Sequence, residues 1–326
     1  MEEFSDEEKK KPGRPRKKQV RNIMPKLGIV KEPSNNKHVD TRLHNVYEII
    51  YDNPLMFKRI FSLFKSMSVD NIRLKLEPEY VKMHALDHSQ NNDIYIKIIG
   101  SRLNRYYLNK PLEFGLASND IQKILQTLSK DHANIWWFSQ EINSASKMKI
   151  RLDNDDMEEN SVYTVDIQTI DGFNWESLEN QIEDEKHYPI KFNLPFKYFK
   201  KKIADFDILG EIMKIEKYSD GQLMLSYTFK NKKGEHSTRF NNNSKIKLDS
   251  KLEYGNIFST SVYLEHIKPI ASSLVSESIS ISADLEKKLI FTALLDQDEK
   301  SNSQAIPDSE KCIIKVLTNI VKIKDF

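Results

Sequence analysis

This chain has very little cysteine and glycine: of 326 residues, one is cysteine (Cys312) and nine are glycine. A lone thiol excludes an intrachain disulfide and a cysteine cluster for zinc, and it fits a reducing compartment. With so few glycines no phosphate-cradling loop is present, and neither HExxH nor G-x-S-x-G occurs. No apolar run approaches the roughly 18 residues of a membrane span. The opening MEEFSDEEKKK is acidic and then basic, unlike a secretory signal. A hydrophobic fraction of 39% with 30% charged residues then describes a soluble, intracellular protein. Carboxylates gather at 153–159 (DNDDMEE) and 297–310, which read as exposed loops, rather than at strand ends as a two-metal nuclease needs. His84-Ala85-Leu86-Asp87-His88 is the best metal-like grouping, but it sits where a strand meets a turn and no further ligand spacing accompanies it. The expectation is a binding protein, not an enzyme, with no metal and no cofactor.

What is present begins with charge. The net +2 hides an asymmetry: residues 1–44 carry twelve Lys or Arg against seven Asp or Glu, so the tail is +5 and the rest −3. A net acidic body repels phosphate on average, so any nucleic-acid contact requires lysines gathered on one surface. The tail has few apolar residues and reads as disordered. Its run Pro12-Gly13-Arg14-Pro15-Arg16-Lys17 resembles an AT-hook, whose Gly-Arg-Pro core lies in a narrow A·T minor groove, although Pro12 stands where an arginine usually precedes the glycine. DNA contact through Arg14, Arg16, Lys17 and Lys18, a nuclear localisation signal and a merely solvated basic run all remain open.

Four amphipathic helical patterns recur, at 54–67, 118–130, 195–206 and 262–275. Their starts are 64 and 67 residues apart within pairs and 141 and 144 between pairs, the spacing of an internal duplication. The first turns Phe57, Ile60, Phe61 and Phe64 inward and Lys58, Ser62 and Lys65 outward. The second buries Ile121, Ile124, Leu125 and Leu128 and shows Asn119, Lys123, Gln126 and Lys130. The third buries Phe196, Phe199, Ile203 and Phe206 beneath Lys197 and Lys201, with Lys200 and Lys202 at the flanks. The fourth buries Tyr263, Ile267, Ile270 and Leu274 but shows only Lys268, Ser272, Ser273 and Glu265, and Pro269 inside it predicts a kink or a late start. Between the helices the period becomes two: 71–76, 80–85, 93–98, 135–138, 148–152, 162–170, 222–229, 246–252, 279–282, 289–293 and 313–317 read as strands. The pattern predicts an α+β protein with antiparallel sheets and two helices in each of two similar domains, 45–170 and 190–326. Residues 171–189, acidic and strandless, read as the linker, and 1–44 as the tail.

In these residues a family becomes visible. Residues 51–65 (YDNPLMFK through Phe64-Lys65) and 71–90 (NIRLKLEPEYVKMHALDHSQ), with the corner Leu86-Asp87-His88-Ser89, resemble the first half of the sliding clamp proliferating cell nuclear antigen. In the same order, 112–128 is similar to its second helix with the leading strand, 188–205 to the start of its second domain, and 313–325 to its last strand and tail. The basic Gly-Arg-Pro tail followed by YDNPL resembles, more narrowly, clamps of nucleocytoplasmic large DNA viruses of the African swine fever virus type. The resemblance implies a homotrimeric ring around duplex DNA, a processivity factor for a polymerase and a docking platform for replication and repair proteins. It implies a site of DNA replication, in a host nucleus or a cytoplasmic viral factory. It implies lining cations at Lys58, Arg59, Lys65, Lys123, Lys130, Lys197, Lys200, Lys201 and Lys268, although Gln126 stands where the family often has lysine. It also implies a partner-peptide pocket at Leu86, Ile94, Ile96, Ile182, Ile320 and Val321, and a trimer interface between 162–167 and 236–241, with Val162, Tyr163, Val165, Ser237 and Arg239. The rival reading from the residues alone is a monomeric, chromatin-type DNA-binding protein acting through its tail.

Overall fold

The computed structural model describes residues 45–321 apart from 52–53, 128–134, 145, 155–158, 171, 219–221, 229–234, 241–245, 253–256, 275 and 296–311. The tail with its Gly-Arg-Pro run, Lys130 and the acidic segment 297–310 lie outside the described residues.

Four successive segments share one order: strand, helix, three strands. The first is β1 (Asn45–Tyr51), α1 (Pro54–Ser66), β2 (Asn71–Leu76), β3 (Tyr80–Leu86) and β4 (Asn92–Ile99). A short strand β5 (Arg105–Leu108) leads to the second: β6 (Leu112–Ala117), α2 (Ser118–Thr127), β7 (Ile135–Glu141), β8 (Lys147–Asn154) and β9 (Glu159–Asp166). After helix α3 (Trp175–Glu183) comes the third: β10 (Ile190–Pro195), α4 (Phe196–Leu209), β11 (Ile212–Lys217), β12 (Leu223–Thr228) and β13 (Glu235–Phe240). Strand β14 (Lys247–Ser250) precedes the last: β15 (Phe258–Tyr263), α5 (Leu264–Ser273), β16 (Ser278–Ala283), β17 (Leu289–Leu294) and β18 (Ile313–Thr318).

The segments exchange their first strands. β1 pairs with β7 rather than with its own β2, and β2 pairs with β6, giving the orders β5-β1-β7-β8-β9 and β6-β2-β3-β4. The second half repeats this as β14-β10-β16-β17-β18 and β15-β11-β12-β13. All these pairings are antiparallel. β4 then pairs with β18, fusing one sheet from each half into nine continuous strands, β14-β10-β16-β17-β18-β4-β3-β2-β6.

Alternation decides what each strand buries. In β4 the residues Ile94, Ile96 and Ile98 are fully buried in the main core with Ile314 and Val316 of β18, while Asp93, Tyr95 and Lys97 take the other face. Phe57, Ile60, Phe61 and Phe64 of α1, Ile121 and Ile124 of α2, Phe196, Phe199, Ile203 and Phe206 of α4, and Ile267 and Ile270 of α5 close that core. The helices neighbour one another in the order α2, α1, α5, α4. Where α1 meets α5, small hydroxyls allow close approach: Ser273 Oγ donates to Ser66 Oγ at 2.6 Å, and Ser66 Oγ donates to the Leu63 carbonyl at 3.0 Å.

Some expectations shift. The fourth amphipathic helix begins at Leu264, not 262, and continues through Pro269. β9 spans Glu159–Asp166 rather than 162–170, and the 153–159 stretch read as loop contributes its ends to β8 and β9. The 171–189 segment, read as an irregular linker, folds among its described residues as α3, with Asn174 Oδ1 accepting from the Ser177 N–H at 2.9 Å as N-cap.

Candidate nucleic-acid interface and docking face

The buried aromatic stripes fix which lysines face outward. On α1, Lys65 is exposed and Lys58 and Arg59 are half-exposed; on α4, Lys197, Lys200 and Lys201 are exposed. Lys123 of α2 is exposed and sits 3.3 Å from Asp120 one turn earlier. Lys268 of α5 is exposed and ion-paired with Asp207 of α4, so it ties two helices together and part of its charge is offset. Lys202 is different. It turns sideways over the Tyr198 ring, donates to Thr238 Oγ1 at 3.4 Å and lies 4.0 Å from Asp205, which attaches α4 to β13. Lysine on a solvated helix face is a mobile point charge suited to phosphates met without fixed register. The cations concentrate on α1 and α4, the first helix of each half.

The opposite face of the nine-stranded sheet is covered by α3. Trp175 and Leu178 pack on Tyr95 of β4, Ile290 of β17 and Leu317 of β18, with Tyr188, and with Phe173, Ile182 and Ile313 at the margin. Charges fasten the helix on two sides. Lys82 of β3 lies 2.6 Å from Glu179 and 2.7 Å from Glu77. Glu185, just past the helix, is buried; it accepts from Ser282 Oγ at 2.7 Å, pairs with Lys315 and lies 3.4 Å from Lys191. Burial pushes the Glu185 carboxyl up, but the charge and hydrogen bond of Lys315, with Ser282 and Lys191, outweigh it and hold it below its ordinary range.

That face corrects the expected peptide pocket. Ile94 and Ile96 are core residues with no exposure, because strand parity turns them towards the helices rather than towards the linker. Ile182 is half-buried under the α3 cluster, and Ile320 and Val321 are half-buried, the Val321 N–H donating to the Ser261 carbonyl at 2.8 Å. Leu86 is exposed on the rim of a cleft of about 330 Å³ with Asp70, Arg73, His84 and His88. A second cleft of about 330 Å³ lies between Arg73, Asp93 and the start of the linker, Gly172 to Ser177. The two share Arg73, and neither contains Ile182, Ile320 or Val321. Sequence reasoning missed Arg73, whose guanidinium carbon lies 4.8 Å from the Phe173 ring centroid, and read His84, which stacks on Phe173 at 4.2 Å and 16°, only as part of a metal-like grouping. The polar phase of NIRLKL was the available signal for Arg73.

The His84 to His88 grouping is no ligand set. Asp87 is the centre of a turn: its carboxylate accepts from the Asn91 and Asn92 N–H groups at 2.8 and 3.0 Å, from Ser89 Oγ at 2.7 Å and from Asn92 Nδ2 at 2.8 Å. Asn92 carries the junction further, its Oδ1 accepting from Thr318 Oγ1 at 2.7 Å. Among the described residues no group of three or more His, Cys, Asp or Glu is placed to hold a metal ion, and no helix is long and apolar enough to cross a membrane.

At the expected subunit interface, β9 and β13 each end a sheet: β9 pairs only with β8 and β13 only with β12 among the described strands. Val162 is 55% exposed, Tyr163 half-buried, Val165 buried and Arg239 exposed, while Ser237 pairs in register with Ser226.

A twice-repeated pair of antiparallel sheets, with helices on one face and a connecting helix on the other, defines a clamp-type α+β protein. A family model described as "Proliferating cell nuclear antigen, N-terminal domain" matches residues 46–174, from β1 to the N-cap of α3. The chain is 27% identical over 296 residues to an uncharacterized protein of African swine fever virus (Kenyan pig isolate), covering 90% of this chain and 96% of that one. The counterpart from a Malawian tick isolate of the same virus is 25% identical over the same length. A DNA polymerase sliding clamp of Methanothermobacter thermautotrophicus is 23% identical over 168 residues, covering 49% of this chain and 59% of that protein. Together these similarities support a clamp of the proliferating cell nuclear antigen family.

Proposed function

We propose that the protein is a homotrimeric DNA sliding clamp: a ring that encircles duplex DNA, tethers a polymerase, and docks replication and repair proteins on its outer face. In this reading 45–170 and 190–326 are the two clamp domains and 171–189 the segment between them. The observation that carries it is the mismatch of edges. Within the chain, the last strand of the first segment (β4) pairs with the last strand of the fourth (β18). The last strands of the second and third segments, β9 and β13, have the same topological place and no such partner among the described strands. An edge strand is a template for another chain. Because β9 and β13 are different patches, copies join head to tail, and such a joint closes into a ring when its rotation allows.

The lysines of α1 and α4 then line the hole with Lys123 of α2, and topology rather than tight contact keeps the ring on DNA. α5, with Glu265 and the Lys268–Asp207 pair, adds least. The clefts beside Arg73, Leu86 and Phe173, at the free end of α3, are the docking face for partner peptides, and the protein acts as a scaffold rather than a catalyst. Mass measurement in solution tests the ring directly. At micromolar concentration we expect a species of three chain masses; a strictly monomeric protein, with and without DNA, would instead support a tail-driven DNA-binding monomer.

A further inference from the structure

Resting on the reading of the two outer-face clefts as the docking site, their charges define what a partner has to bring. Both clefts lie on the outer face of the nine-stranded sheet, where Arg73 of β2, His84 of β3 and Tyr95 of β4 stand in one cross-strand row. Of the apolar side chains that line them, Ala85 and Leu178 are buried, Phe173 is half-buried against His84 and Arg73, and only Leu86 is exposed, at 38%. A docking segment therefore meets one aliphatic contact here rather than an apolar pocket. The polar groups are unequal. The three carboxylates of the clefts are answered from within the chain: Asp87 accepts from four donors of its own turn, Asp93 pairs with Lys288 and lies 3.3 Å from His84 Nε2, and Asp70 lies 3.4 Å from His88 Nδ1. Burial pushes the Asp93 carboxyl up, but the hydrogen bonds and charges of His84 and Lys288 outweigh it and hold it below its ordinary range. Arg73 differs. Among the described residues its guanidinium has the Phe173 ring beside it and no carboxylate or other hydrogen-bond acceptor. It is half-exposed, and both clefts open on it.

We infer that partner segments are anchored by a carboxylate on Arg73, from an Asp or Glu side chain set beside an aliphatic residue that packs on Leu86. A guanidinium stacked on a ring keeps its plane while its edge N–H groups stay available, and a carboxylate matches that fork with two parallel hydrogen bonds. Little ordering is left for binding to impose. Leu86 follows His84 by two residues on β3, so it lies about 7 Å along the strand from the Arg73 and His84 pair. Alternate residues of an extended peptide have that separation, which puts the partner's acid and its aliphatic residue two positions apart. The acceptor belongs to a protein and not to the duplex in the hole, because the lysines of α1 and α4 lie across the sheet from Arg73.

Selection from a library of random decapeptides on the full chain tests the anchor, with excess duplex DNA present to occupy the helix-face lysines. We expect Asp or Glu to be enriched two positions from Leu, Ile or Val. The selected peptides should bind Arg73→Gln at least ~10-fold more weakly than the parent, with Arg73→Lys between them. Replacing the selected acid by its amide should weaken binding to the parent by the same factor and binding to Arg73→Gln not at all. On the parent, that comparison needs no protein variant. Peptides enriched without an acid, or an acid whose replacement weakens binding to the parent and to Arg73→Gln equally, overturn the carboxylate anchor; if Leu86→Glu still abolishes their binding, the docking face stands. Peptides that bind Arg73→Gln and Leu86→Glu as they bind the parent, or no enriched peptide at all, overturn the docking face and the anchor together.

Discussion

Reversing Lys58, Lys65, Lys197 and Lys201 to Glu together is expected to lower direct binding to duplex DNA at least ~100-fold near 0.1 M salt, without changing oligomeric state. The four side chains lie on the outer faces of α1 and α4, opposite the buried Phe57–Phe64 and Phe196–Phe206 stripes, and each is exposed or half-exposed. Each phosphate that the protein no longer neutralises should flatten the slope of log K against log salt by about one. Net charge alone is the competing explanation, because the body already carries −3 outside the tail. Reversal of four exposed lysines outside those helices, Lys110, Lys147, Lys186 and Lys247, changes net charge equally. Those variants should stay within about three-fold of the parent. Equal losses in both sets would mean that the helices are not the DNA face.

The second large effect is expected from Trp175→Ala. Its indole is buried between Phe173, at 5.2 Å and 89°, and His84, at 6.2 Å and 78°, with Leu178 beside it on the outer sheet face. Truncating a buried tryptophan costs about 3–5 kcal/mol. Here the loss falls on a nine-residue helix that covers a sheet complete without it, so α3 should detach before the domains unfold. Limited proteolysis should cut within 172–189 at least ~10-fold faster, while binding to DNA is unchanged. Cleavage spread over both halves at the same rate would show that Trp175 holds the whole fold instead.

How far the fold is legible in the sequence depends on the length of each pattern. The long helices announce themselves because Phe57, Ile60, Phe61 and Phe64 repeat over about two turns, and Phe196, Phe199, Ile203 and Phe206 over about three. α3 does not, since its apolar residues are only Trp175, Leu178 and Ile182 among acidic neighbours, and an acidic composition imitates a loop. β11 escapes notice because it follows α4 closely, after Gly210 and Glu211, and its pattern begins on two adjacent buried residues, Ile212 and Met213. Assigning Ile94 and Ile96 to a peptide pocket goes against their own alternation, which already places them with the core. The edge strands carry only part of their meaning: β9 and β13 are readable in part as strands, but that they have the same place as β4 and β18 emerges only once the exchange of first strands is seen. The cationic face is visible helix by helix, whereas its division, strong on α1 and α4 and weakened on α5 by Asp207, requires the folded neighbours.

The central claim is topological, and one comparison addresses it. The protein is placed on closed circular DNA and on the same DNA cut once, and the salt is raised until electrostatic contacts are screened. A ring should remain on the circle and run off the linear ends, with retention differing at least ~10-fold and the difference abolished by blocking both ends. Equal retention on circular and linear DNA at every salt concentration would contradict encirclement and assign the DNA contact to adhesion through the basic tail.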